Sequence, residues 1–138
     1  MNTTLERDCA RVLIADDFQP FLDRIVDLLS REFRVVGSVT NGAQLVDAEN
    51  SLRPDVIVVD IYMPVMNGLE AAVRIRNGGS RVPIVYMTAH HESELVDAAQ
   101  KTGALGYVTK PHLAQDLVPA IRAALEGRPY VSRSALTD

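Results

Sequence analysis

Apolar positions along this chain follow two rhythms. Short continuous runs, Arg11-Val12-Leu13-Ile14-Ala15, Val56-Ile57-Val58-Val59 and Val82-Pro83-Ile84-Val85-Tyr86-Met87, have no polar face and read as strands buried on both sides of a parallel sheet. Between them, apolar residues recur at three-and-four spacing: Phe21, Leu22, Ile25, Val26, Leu28 and Leu29 mark a helix within Gln19 to Glu32, with Pro20 near its first turn. Phe33 to Val39 reads as a second, shorter strand weakened by Gly37, and Asn41-Gly42 turns the chain into a helix over Ala43 to Asn50.

Pro54 then breaks the chain before the third strand, Asp55 to Asp60, and a loop over Met63 to Gly68 leads to a helix over Leu69 to Arg76. Asn77-Gly78-Gly79 ends that helix with residues tolerant of left-handed backbone. Strand four is Val82 to Met87, with Pro83 tolerable only near its start. Glu92 to Lys101 reads as helix four, acidic in its first turn and followed by Gly103. Gly106 to Thr109 is a short fifth strand, and Leu113 to Glu126 a fifth helix ended by Gly127. Pro119 stands inside that helix, where it removes a backbone bond and predicts a kink or a frayed first turn.

Five strands alternating with five helices describe an α/β, doubly wound, five-stranded parallel sheet of flavodoxin-like type, with strand order 2-1-3-4-5. Residues 1–10 read as a loose lead-in, 11–127 as the domain, and 128–138 as a tail or linker remnant.

Ligands in such folds sit at the carboxyl ends of the strands, and this order makes strands one and three neighbours at the switch point. Asp16 and Asp17, after strand one, therefore converge with Asp60, the last residue of strand three. Carboxylates about 4 to 6 Å apart repel by about 1 to 4 kcal/mol per pair, so the cluster calls for a cation. Oxygen-only ligation with room for water and a phosphate suits Mg²⁺. Thr88 and Lys110, at the ends of strands four and five, add a hydroxyl and an ammonium suited to a phosphoryl group.

Composition narrows the function classes. The 138 residues, 47% hydrophobic, suffice for one domain with a proper core. With 14 basic against 18 acidic residues and no basic run, the chain carries no electrostatic footprint for direct nucleic-acid contact. A single cysteine, Cys9, excludes an internal disulfide and a cysteine-based zinc site. Without a leader or an apolar run of about 18 residues, the expectation is a cytoplasmic protein with no membrane segment. Asn2-Thr3-Thr4 fits the glycosylation pattern but lacks a route to modification. His90-His91-Glu92 lacks the spacing of a zinc helix.

Asp16-Asp17, Asp60-Ile61-Tyr62-Met63-Pro64 with Asn67-Gly68, Thr88-Ala89 and Gly106-Tyr107-Val108-Thr109-Lys110-Pro111 together resemble the CheY-like receiver domains of two-component response regulators. Gly127-Arg128-Pro129-Tyr130-Val131-Ser132 is similar to the segment that follows receivers of LuxR/NarL-type transcription regulators. The resemblance implies that Asp60 is the phosphoacceptor, that Asp17 binds Mg²⁺ directly and Asp16 through water, and that the backbone carbonyl of Tyr62 completes the protein ligands. It makes Lys110 and Thr88 the phosphoryl contacts and Tyr107 the aromatic whose rotamer follows Thr88. Tyr62 and His90 would flank the pocket entrance, and Lys110-Pro111 would be cis.

The implied partner is a sensor histidine kinase or histidine phosphotransfer protein. The activity implied is that of a phosphoacceptor with self-phosphotransfer and autodephosphorylation, not of a metabolic enzyme. Homodimer contacts would use helix four, strand five and helix five, or helices one and five. A flavodoxin-like electron carrier would need a Gly/Ser/Thr-rich phosphate loop where Asp16-Asp17-Phe18 stands. A haloacid-dehalogenase-like phosphohydrolase would need an Asp where Tyr62 stands. A stand-alone receiver, or an interaction module working without phosphorylation, shares the same motifs.

Overall fold

Strand β1, Arg11–Ala15, pairs in parallel with β2, Arg34–Val39, on one side and with β3, Val56–Asp60, on the other. The sheet continues through β4, Ile84–Thr88, and β5, Gly106–Thr109, in the expected order. Helices α1 (Gln19–Leu29), α2 (Gly42–Leu52), α3 (Gly68–Asn77), α4 (Ser93–Lys101) and α5 (Leu113–Leu125) provide the crossovers. The computed structural model describes residues 10–89 and 93–132. The readings of the lead-in, Cys9, His90, His91 and Glu92, and the end of the tail fall outside that set.

Period-two alternation divides the strand side chains between two layers. Val12, Ile14, Val56, Val58, Val85, Met87 and Val108 pack with α1 and α5 residues such as Leu22, Ile25, Leu117 and Ile121. Leu13, Ala15, Ile57, Val59, Ile84, Tyr86 and Tyr107 pack on the other face with Leu45, Ala71, Ile75, Val96 and Ala99 from α2, α3 and α4. β3 is buried along its whole length, as its unbroken apolar run requires. Gly37, read as a weakness in the second strand, sits where the β1–β2 register skips a residue, and a Cβ there would press on Leu52 at 2.9 Å.

A sixth strand corrects the five-strand expectation. β6, Tyr130–Val131, adds in parallel to the outer edge of β5, pairing Gly106 with Tyr130 and Tyr107 with Val131. Side chains lock it in place: Tyr130 Oη donates to Asp116 Oδ1 at 2.7 Å, and Ser132 Oγ donates to Asp116 Oδ2 at 3.0 Å. Ser132 Oγ also accepts the Thr109 N–H at 3.2 Å. A two-residue strand held by a helix carboxylate leaves no periodic trace in sequence.

Two other expectations change. The Lys110–Pro111 bond is trans, because the chain after β5 enters a 3₁₀ turn over Lys110–His112 with Pro111 in its first turn, where the ring suits the backbone. α5 runs unbroken from Leu113 through Pro119 to Leu125, so its first turn is not frayed. Pro119 is on the exposed side, where water can satisfy the carbonyl its ring leaves without a donor.

Candidate functional site

The carboxyl ends of β1, β3, β4 and β5 deliver side chains to one crevice. Asp16 follows Ile14 in the alternation and so falls on the α1/α5 side, as do Asp60 after Val58 and Lys110 after Val108. Carboxylate oxygens of Asp16, Asp17 and Asp60 all lie within 4.8 Å of one another, with Asp16 and Asp60 buried and Asp17 exposed. Lys110 Nζ is 2.8 Å from Asp16 Oδ2 and 3.4 Å from Asp60 Oδ2. These four residues are the group the structure brings together.

Each member is anchored differently. Asp16 extends the ladder by donating its N–H to Val39 O at 3.1 Å, and its Oδ1 accepts the Phe18 N–H at 2.9 Å. Among the described residues, none donates a hydrogen bond to the buried Oδ2 of Asp16, since the nearby ammonium pairs with it in charge but not in direction. Burial pushes the Asp60 carboxyl up to about 6; Lys110 pulls it back, and the Asp16 and Asp17 charges raise it further. An undirected buried oxygen within three clustered carboxylates is a donor set that fits a hard divalent cation.

Thr88, fully buried, ends β4 on the opposite face and pairs in register with Thr109, the residue before Lys110. Tyr107 is 2% exposed and lies among the α4-side residues, with Val131 of β6 as its ladder partner. Tyr62 is half exposed in the loop after β3.

That loop is held by backbone. Gly68 N–H donates to Ile61 O at 2.7 Å, and Gly42 N–H to Met66 O at 2.9 Å. A Cβ on Gly68 would lie 2.3 Å from Asp60 O, so only glycine permits this approach. Asn67 and Glu70 close a capping box that starts α3 at the loop's end. Met66 N–H donates to Pro64 O at 2.7 Å across Val65, whose φ of 69° makes this a strained three-residue turn.

Sequence reasoning missed one neighbour of the site. The ring of Phe21, in the first turn of α1, lies under Lys110 with Nζ 4.4 Å from its centroid. Its helical spacing marked it only as a core position. A cavity of about 570 Å³ lies at the other end of the sheet, lined by Arg53, Arg74 and Arg81 among others, and takes no part in the carboxylate crevice.

A family model described as the response regulator receiver domain matches residues 12–122. The transcriptional regulatory protein PdtaR of Mycobacterium tuberculosis is 35% identical over 127 residues, 88% of this chain and 61% of that protein. The nitrate/nitrite response regulator protein NarL of Escherichia coli is 34% identical over 91% of this chain and 59% of its own length. This chain thus spans about three fifths of those relatives. Chemotaxis protein CheY of Halobacterium salinarum is 30% identical over 83% of this chain and 96% of its own. A LuxR-family two-component response regulator from Aurantimonas superposes with TM-score 0.89, 30% identity and 93% coverage of both chains.

Proposed function

The chain belongs to the response regulator receiver family, with LuxR/NarL-type relatives, and from that premise we propose that it is switched by phosphorylation of Asp60. The donor is a phosphohistidine on a sensor histidine kinase or a histidine phosphotransfer protein. The convergence of Asp16, Asp17, Asp60 and Lys110 in one crevice carries this reading.

A carboxylate oxygen of Asp60 attacks phosphorus, forming a P–O bond as the P–N bond breaks and the electron pair leaves with the imidazole. Lys110 and Thr88 contact the phosphoryl oxygens and offset their charge. Asp16, Asp17, Asp60 and the backbone carbonyl of Tyr62 would hold a Mg²⁺, which when bound neutralises charge shared between nucleophile and transferring group. Attack by water at phosphorus later releases inorganic phosphate and restores the carboxylate.

The output is a repacking of α4, β5 and α5 in which Thr88 shifts toward the phosphoryl group and Tyr107 follows. In this reading the receiver spans residues 11–127, residues 128–138 join it to an output, and the output is transcription control. The protein works in the cytoplasm, and its homodimer contacts fall on α4, β5 and α5 or on α1 and α5. Intact mass after incubation with acetyl phosphate and Mg²⁺ tests the core of this. One phosphoryl group on wild type, abolished by chelator and by Asp60→Asn, is the expected result; phosphorylation of the Asp60→Asn protein would refute it.

A further inference from the structure

Among the described residues, Lys110 Nζ lies close to the carboxylates of Asp16 and Asp60 and to the ring of Phe21. The two carboxylates belong to the acidic cluster that fits a divalent cation, so each is a partner the lysine must share. Phe21 is different in kind. Its ring attracts an ammonium through the negative face of the π-system, carries no ionisable group, and ligates no metal.

The ring is also well anchored. Phe21 is in the first turn of α1, next to Pro20, whose fixed φ sets the start of the helix, and it packs against the core layer formed with α5. Lys110, by contrast, ends a flexible four-carbon stem whose side chain is 21% exposed. An aromatic face 4.4 Å from the end of a long flexible stem restricts where its ammonium can go.

We propose that Phe21 is a positioning residue for Lys110, holding its ammonium over the crevice when Asp16 and Asp60 turn to other partners. This inference rests on the reading of Asp60 as phosphoacceptor. In that reaction the lysine must exchange a carboxylate for phosphoryl oxygens, and the ring is the neighbour whose attraction persists on both sides of the exchange. Phe21 thereby couples the start of α1 to the end of β5.

The test uses the full 138-residue chain. Phe21→Leu keeps an apolar side chain and removes the quadrupole; Phe21→Tyr keeps the ring. Fluorinated phenylalanines at position 21 weaken the negative face stepwise with almost no change in shape. With acetyl phosphate and Mg²⁺, the rate of phosphorylation at Asp60 should fall about threefold to tenfold in Phe21→Leu, recover in Phe21→Tyr, and decline in steps with fluorination. A rate indifferent to fluorination would overturn the proposal.

A second readout needs no phosphorylation. The ε-methylene protons of Lys110 should show an upfield ring-current shift that survives saturation with Mg²⁺ and disappears in Phe21→Leu. Should wild type take up no phosphoryl group, the phosphoacceptor reading fails on its own. Loss of the ring-current shift on adding Mg²⁺ would overturn the positioning role whatever the chemistry at Asp60.

Discussion

The ammonium of Lys110 stands 2.8 Å from Oδ2 of Asp16, closer than its 3.4 Å approach to Asp60. The last residue before one loop and the first after a distant strand are thus joined at the crevice floor. An ammonium already pairs with two of the carboxylates that would hold a divalent ion. Lys110→Ala removes both a competitor for Asp16 and a like charge, so Mg²⁺ should bind at least about threefold more tightly, by calorimetric titration. Phosphorylation of Asp60 should slow in the same variant, because the phosphoryl oxygens lose a counter-charge.

Asp60 gives the crevice a pH signature. Its folded-state pKa is raised from 3.8 to about 6, so the folded protein holds this proton more tightly than the unfolded chain. Stability contributed by the group therefore falls as pH rises from about 4 to about 6, and above that the charged carboxylate costs about 3 kcal/mol. In chelator, Asp60→Asn should be more stable than wild type by about 2–3 kcal/mol at pH 7.5, and the gap should close below pH 4. Urea unfolding across this range measures it.

Val65 is 83% exposed and β-branched, yet it sits at φ 69° in the turn from Pro64 to Met66. The left-handed backbone costs such a residue about 1–2 kcal/mol, while glycine adds about 0.5–1 kcal/mol of unfolded-state entropy to be lost. Relief of the strain outweighs the added entropy. Val65→Gly should stabilise the protein by about 0.5–1 kcal/mol in the same unfolding assay.

Asp116 receives both Tyr130 Oη and the buried Ser132 Oγ, and so fastens β6 to α5. Asp116→Ala leaves a buried hydroxyl short of an acceptor and should cost about 1–3 kcal/mol. Amides of Val131 and Ser132 should then exchange faster with solvent. The hydrogen bond to Asp116, with burial and the carboxylate charge, raises the Tyr130 pKa, so the phenol should titrate lower in this variant, by absorbance.

Strand order and the acidic cluster were legible because continuous apolar runs mark buried strands and end in Asp16 and Asp60. The parallel topology then decides which ends meet. What could not be read depends on contacts between distant residues. Strand four begins at Ile84 and not Val82, because the Val82 carbonyl accepts Arg76 Nη1 at 2.7 Å and Pro83 brings no donor. Tyr130–Val131 needs Asp116 from α5 to become a strand. Phe21 repeats at core spacing, and nothing in that spacing tells which apolar ring will face an ammonium.

The added strand also decides at which pole of the sheet Ser132 lies. α5 carries the backbone down to the pole opposite the carboxylates, and β6, running parallel to its neighbours, carries it back up. At Ser132 the main chain is therefore back toward the carboxyl ends of the strands, its N–H tied to Tyr107 O at 2.8 Å. Ser132 thus shares the carboxylate pole with Asp60 while standing three strand positions away from it, at the outer edge of the sheet.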